Sequence, residues 1–194
     1  MKSKIVLIVF SVILSLLVCE VIVHYAFPVN EAMNKIYIAD SVYATRTAPY
    51  LDFTYSDLDG RSLTIATNGY GHRWGEYDTA SWRDTSVKKI LLLGDSYTFG
   101  VAVNQHATFA YLVDSILNAD KHIKSQYSII NAGVGGWCTK QELLYGIRHL
   151  NVFNPDIVVI TFCPNDPIGD MVFENGFKHN TTTVAPDFWG KEFL

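Results

Sequence analysis

Three short apolar runs, 88–93, 127–131 and 156–162, alternate with stretches whose apolar residues recur at helical spacing. This alternation constrains the fold more than any other feature of the chain. Phe109, Leu112, Val113, Ile116 and Leu117 form a core-facing stripe between the first two runs, and Leu143, Leu144, Ile147 and Leu150 form another between the last two. Strands alternating with helices imply right-handed crossovers and a doubly wound parallel sheet, an α/β fold. The third run is continuously apolar, as parallel strands covered on both faces are. After Asp166, Gly169, Gly176, Pro186 and Gly190 punctuate the sequence without another long apolar strand or a convincing helix. Three strands are therefore expected, and the C-terminal part of the domain reads as missing.

The preceding segment has a different grain. Tyr37, Tyr43, Tyr50, Phe53, Tyr55, Tyr70, Trp74, Tyr77 and Trp82 alternate with turn signals, and 62–67 before Asn68-Gly69 reads as a strand entering a tight turn. We expect a small β-rich lead-in whose rings pack on the following domain, with a sugar-stacking platform as the other reading. Further upstream, residues 5–19 carry no charge, and the apolar run continues past Glu20 to Ala26-Phe27. That length suffices to cross a bilayer, which takes about 20 residues. Lys2 and Lys4 place the N-terminus in the cytoplasm. No small residues at A-x-A spacing follow, so an uncleaved anchor is expected, and Val18 before Cys19 argues against lipidation.

The expected organisation is a cytoplasmic N-terminus (1–4), a single transmembrane anchor (5–27), the lead-in (28–86) and a partial α/β domain (87–194) facing the periplasm or cell surface. With a net charge of −4 the chain offers no nucleic-acid surface. Cys19 lies in the apolar segment, and Cys138 and Cys163 are expected as two buried free thiols.

Chemistry concentrates where the strands end. In open α/β sheets ligands collect beyond the carboxyl ends of the strands. There the first run gives Gly94-Asp95-Ser96, the second Asn131-Ala132-Gly133-Val134-Gly135-Gly136-Trp137, and the third Cys163-Pro164-Asn165-Asp166. Ser96 at a helix start is either a nucleophile facing oxyanion donors or a cap. An α/β-hydrolase elbow is excluded because Thr98 stands where glycine is required. A flavin-phosphate loop would leave Gly136 and Asn165 unexplained.

The ordered set Gly-Asp-Ser, Asn-Ala-Gly-x-x-Gly and x-x-Asn-Asp resembles the SGNH (GDSL-type) hydrolase family over roughly residues 64–170. Thr67-Asn68-Gly69-Tyr70-Gly71-His72-Arg73 resembles a stretch that commonly precedes the serine strand in its anchored members. The resemblance implies a flavodoxin-like fold and a serine esterase, carbohydrate O-acetyl esterase, lipase or acyltransferase, with no metal or organic cofactor. It makes Ser96 the nucleophile and one oxyanion donor, with Gly136 and Asn165 the others and Asp95 and Asp166 in structural roles.

Two positions depart from the pattern. Cys163 replaces a glycine, and no Asp-x-x-His, the family's source of the general base, occurs in the 194 residues. His24 lies at the membrane, and His72, His106, His122 and His149 are expected to be solvated or capping. His179 alone follows Asn165 and is the candidate base, with Asp170, Glu174 or Asp187 to orient it. The leading expectation is an outward-facing ester hydrolase acting on an acylated carbohydrate or lipid. Its alternative is an anchored protein using the pocket to bind an envelope glycan or a protein partner.

Overall fold

The computed structural model describes residues 2–26, 35–57, 59–73, 85–123 and 125–179. They form two compact units, Met1–Asn34 and Lys35–Leu194. In the first, α1 (Lys2–Ala26) is a single helix. Its stretch Ser3–Tyr25, which contains an 18-residue window of mean hydropathy 3.0, is long and apolar enough to cross a membrane.

The second unit opens with two hairpins. β1 (Tyr37–Asp40) pairs antiparallel with β2 (Ala44–Thr47), and Asp40 Oδ1 closes their turn by accepting the N–H groups of Val42 and Tyr43 at 2.8 and 3.0 Å. β3 (Asp52–Ser56) pairs with β4 (Ser62–Ala66), which alternates as the sequence suggested, Leu63 and Ile65 inward. Ile36 and Ile65 meet Phe99 in one core cluster, and the Tyr55 hydroxyl donates to the Val101 carbonyl at 2.6 Å. The lead-in is thus fastened to the segment just after Ser96. Tyr50, 82% exposed, is the exception to its packing rings, and Trp74, Tyr77 and Trp82 lie outside the described residues.

β5 (Val87–Leu93), β6 (Gln126–Asn131) and β7 (Ile157–Ile160) form a parallel sheet in the order β6-β5-β7, β5 central. Leu91, Leu93 and Ile130 face a cluster shared with Leu144, Tyr145 and Phe153 of α4 (Thr139–Phe153). Ile90, Leu92 and Ile129 face the opposite side, against Ala110 and Leu117 of α3 (Phe109–Ala119). Helices on both faces make the sheet doubly wound, and its order is that of the first three strands of a flavodoxin-like sheet.

Four expectations need correction. The α3 stripe is largely open, with Leu112, Val113 and Ile116 exposed, because the helix packs along β6 and not across β7. β7 itself is 36–47% exposed along its length, since among the described residues it has one strand neighbour. On α4 the inward face is rotated: Gln141, Glu142, Leu144, Tyr145 and Phe153 are buried, while Leu150 is exposed. Finally, 166–179 is helical, α5 (Asp166–His179), despite its two glycines. Gly169 lets the helix close on α4, where a Cβ would sit 2.7 Å from Cys138 Cβ, and Glu174 pairs with Lys140 at 2.5 Å.

Candidate active site

A parallel sheet delivers all its C-terminal loops to one edge. Leu92 lies opposite Asn131 and Leu93 opposite Ile160, so the loops carrying Ser96, Gly136 and Asn165 start level with one another.

The first loop is tightly built. A side chain at Gly94 would run into the hydroxyls of Thr98 and Thr161, which are hydrogen-bonded to each other. Thr161 donates to the Leu93 carbonyl at 2.9 Å, so Thr98 is the donor in that pair. Asp95, 2% exposed, accepts the Tyr97 N–H at 2.9 Å and caps α2 (Ser96–Phe99). The helical pattern after Ser96 is only one turn long, ended by Gly100 in the left-handed region (φ 75°). The polarity at Ser96 is therefore that of nearby amides, not of a long helix. Ser96 is half-buried; Thr98 and Phe99 anchor the turn beneath it.

The second loop is tied to the first. Asn131 Nδ2 donates to the Thr98 carbonyl at 2.8 Å, and the Val134 N–H donates to the Gly94 carbonyl at 2.9 Å. A Cβ on Gly133 would lie 2.5 Å from Phe99 N, so only glycine admits this approach. Gly136 is exposed, with φ 80° and open space where a side chain would be.

In the third loop Asp166, fully buried, accepts the Cys163 N–H and the Thr139 hydroxyl through Oδ2, both at 2.9 Å. Its neighbour Asn165 is exposed. The Cys138 thiol donates to Gln141 Oε1 at 3.2 Å. Burial, then the nearby Asp95 carboxylate, push the Cys163 thiol up from its ordinary value, and burial, then Asp170, push Cys138 up to about 11. Both cysteines are free thiols, Cys138 buried and Cys163 half-buried. Neither is a thiolate nucleophile at neutral pH.

Sequence reasoning missed two buried ionisable residues packed near these loops. Glu142 is fully buried on α4, and neither carboxyl oxygen has a hydrogen-bond partner; Asp166 Oδ1 is likewise unpartnered. Burial, then the charges of Asp166, Asp95 and Asp170, raise Glu142 to about 8, so it is protonated at neutral pH. Among the described residues no group of three or more His, Cys, Asp or Glu is arranged to hold a metal ion.

Arg73 is the other. Its guanidinium donates to the carbonyls of Gly100 (2.8 Å), Val103 (2.7 Å) and Thr64 (3.1 Å) and to Gln105 Oε1 (3.1 Å), and lies 5.0 Å from the Phe99 ring centroid. Burial lowers it to about 10, still cationic. A helical period could not reveal it, but it closes the 67–73 stretch already singled out.

The histidines correct the sequence reading in part. His106 and His122 are exposed. His72 is buried, 2.7 Å from the Tyr145 hydroxyl, and burial, then the His149 charge, hold it neutral, down at about 3. His149, expected in solvent, stacks on Tyr145 at 4.0 Å. His179 ends α5, and its side chain lies outside the described residues.

Residues 92–186 match the model of the GDSL-like lipase/acylhydrolase family. No curated protein matches the chain.

Proposed function

Because residues 92–186 belong to the GDSL-like lipase/acylhydrolase family, we propose that the chain is a serine ester hydrolase, an esterase, O-acetyl esterase or acyltransferase for an acylated carbohydrate or lipid. The Ser96 hydroxyl adds to the acyl carbon, the alcohol departs, and the acyl group passes from Ser96 to water or to a second alcohol. The N–H groups of Ser96 and Gly136 and the Asn165 carboxamide stabilise the oxyanion. Asp95 and Asp166 hold the loops that present them. The observation that carries this reading is the sheet register, which starts the three loops level at one edge.

The seryl proton requires a base. Sequence order makes His179 the candidate, yet the rise of α5 from Asp166 carries position 179 about 20 Å along the helix axis. α1 is proposed to anchor the chain, with Lys2 and Lys4 keeping the N-terminus inside and the remainder facing the periplasm or cell surface.

Labelling of the full chain with a serine-directed fluorophosphonate tests the assignment. Wild type is expected to label and Ser96→Ala not to. Turnover of a model acetyl ester is expected to fall ~10²–10³-fold in Asn165→Ala. In the same assay unchanged labelling of His179→Ala would remove that residue as base. Absence of wild-type labelling would favour the second reading, an anchored binding protein, which draws on the lack of any Asp-x-x-His in these 194 residues.

A further inference from the structure

The 132–137 loop that offers Gly136 also walls a separate cleft of about 540 Å³, closed by the β1–β2 hairpin, the 69–72 turn and α4. Aromatic rings make its floor. Tyr43, Trp137 and Tyr145 pack with centroids 5.3–5.4 Å apart, and His149 stacks on Tyr145. Half-buried Tyr70 stands edge-on to His149 at 6.4 Å.

Two cations converge on this floor in a chain of net charge −4. Arg46 and Arg148 both line the cleft, one from the β1–β2 hairpin and the other from α4. Asp40, the carboxylate of the lining, is already engaged. Its Oδ1 accepts two backbone N–H groups of the hairpin turn, and its Oδ2 takes Arg46 Nε at 3.3 Å, which orients the guanidinium fork.

A second observation concerns the rim. Tyr50 is 82% exposed and holds φ 54°, a left-handed conformation that L side chains rarely adopt. Its hydroxyl lies over Gly69, where a Cβ would be 2.5 Å away, and Gly69 lines the cleft. The left-handed turn thus holds the Tyr50 ring over Gly69, a residue of the cleft's lining.

We propose that this cleft binds a saccharide bearing an anionic group, carboxylate or phosphate, with the sugar against Tyr50, Tyr70 and His149 and the acid on Arg46 and Arg148. Aromatic faces bury the apolar faces of sugar rings, while paired guanidiniums match a planar or tetrahedral oxyanion through forked hydrogen bonds. The cleft shares its 132–137 wall with the active-site edge, so the bound chain lies against the loop presenting Gly136. Binding stands on the cleft itself; its service to ester cleavage rests on the proposed function.

Isothermal titration of the full chain in detergent tests this with three probes: a uronic-acid oligosaccharide, a sugar phosphate and a neutral oligosaccharide. At least one anionic probe is expected to bind tenfold or more tighter than the neutral one. Arg46→Gln/Arg148→Gln is expected to lose that advantage, and Ser96→Ala to keep it. Should the double variant unfold, Tyr50→Ala, at an exposed ring, is expected to weaken binding several-fold. Equal affinity for neutral and anionic probes, inorganic phosphate competing as well as the sugar phosphate, or wild-type affinity in the folded arginine variant would each overturn the proposal. Lost fluorophosphonate labelling with binding intact rejects only the esterase reading, and the converse rejects only the cleft.

Discussion

Glu142→Gln isolates the consequence of burying a carboxyl between the Ser96 loop and the third strand's loop. An ordinary glutamate ionises near 4.5, whereas Glu142 does so at about 8. Between these values the folded chain holds a proton that the unfolded chain has released, so stability is greatest below the lower value and falls as pH rises towards the upper. At ~1.4 kcal/mol per unit over three to four units, the loss approaches ~5 kcal/mol. Glutamine is nearly isosteric and never ionises, so its variant should show none of this slope. His72, held neutral by burial, acts with the opposite sign, losing stability as pH falls below the ordinary histidine range. That contribution is common to both proteins and cancels in their difference. Urea unfolding of the full chain in detergent at pH 5, 6.5 and 8.5 gives the measurement. The gain of Glu142→Gln over wild type should grow steadily with pH, by several kcal/mol across the range. Parallel curves would refute the reasoning, since they would mean that Glu142 is ionised in the folded state or reached by water.

Arg73→Met should destabilise by ~3 kcal/mol or more, because it leaves the carbonyls of Gly100, Val103 and Thr64 without the donor that now serves them. Arg73→Lys should recover only part of that in thermal unfolding, since an ammonium lacks the planar fork. Two glycines of one loop should separate in the same measurement. Gly133→Ala drives a methyl against the Phe99 backbone and should lower stability well beyond Gly136→Ala, which meets open space and bears only the cost of φ 80°, ~1–2 kcal/mol. Equal losses would show that the loop does not pack on the Ser96–Phe99 turn.

The alternation of apolar runs with helical stripes was enough to read the parallel sheet, its three strands and the loops at their ends, because strand and helix periods are local properties of the sequence. So was the anchor-length helix, whose length and lack of charge need no partner to be recognised. Helix faces were legible only in part. Leu112 and Ile116 have the spacing of a core stripe, but which side of α3 meets the sheet depends on where β6 lies, and they stay exposed. α5 escaped notice because its glycines lower local propensity, while what favours the helix, close approach to Cys138 and the Lys140–Glu174 pair, comes from a distant segment.

The same division runs through the site. Which residues stand near the strand ends, Ser96, Gly136 and Asn165 among them, is legible in the order of residues, because each lies in the short segment after an apolar run. What surrounds them follows from packing between distant segments. Arg73 reaches the carbonyls around Gly100 and Val103 across some thirty residues, and Glu142 comes to lie among Asp95, Asp166 and Asp170 from another helix. Burial, the absence of a donor and the sum of neighbouring charges are properties of packed space. A side chain's protonation therefore cannot be read from its position in the chain.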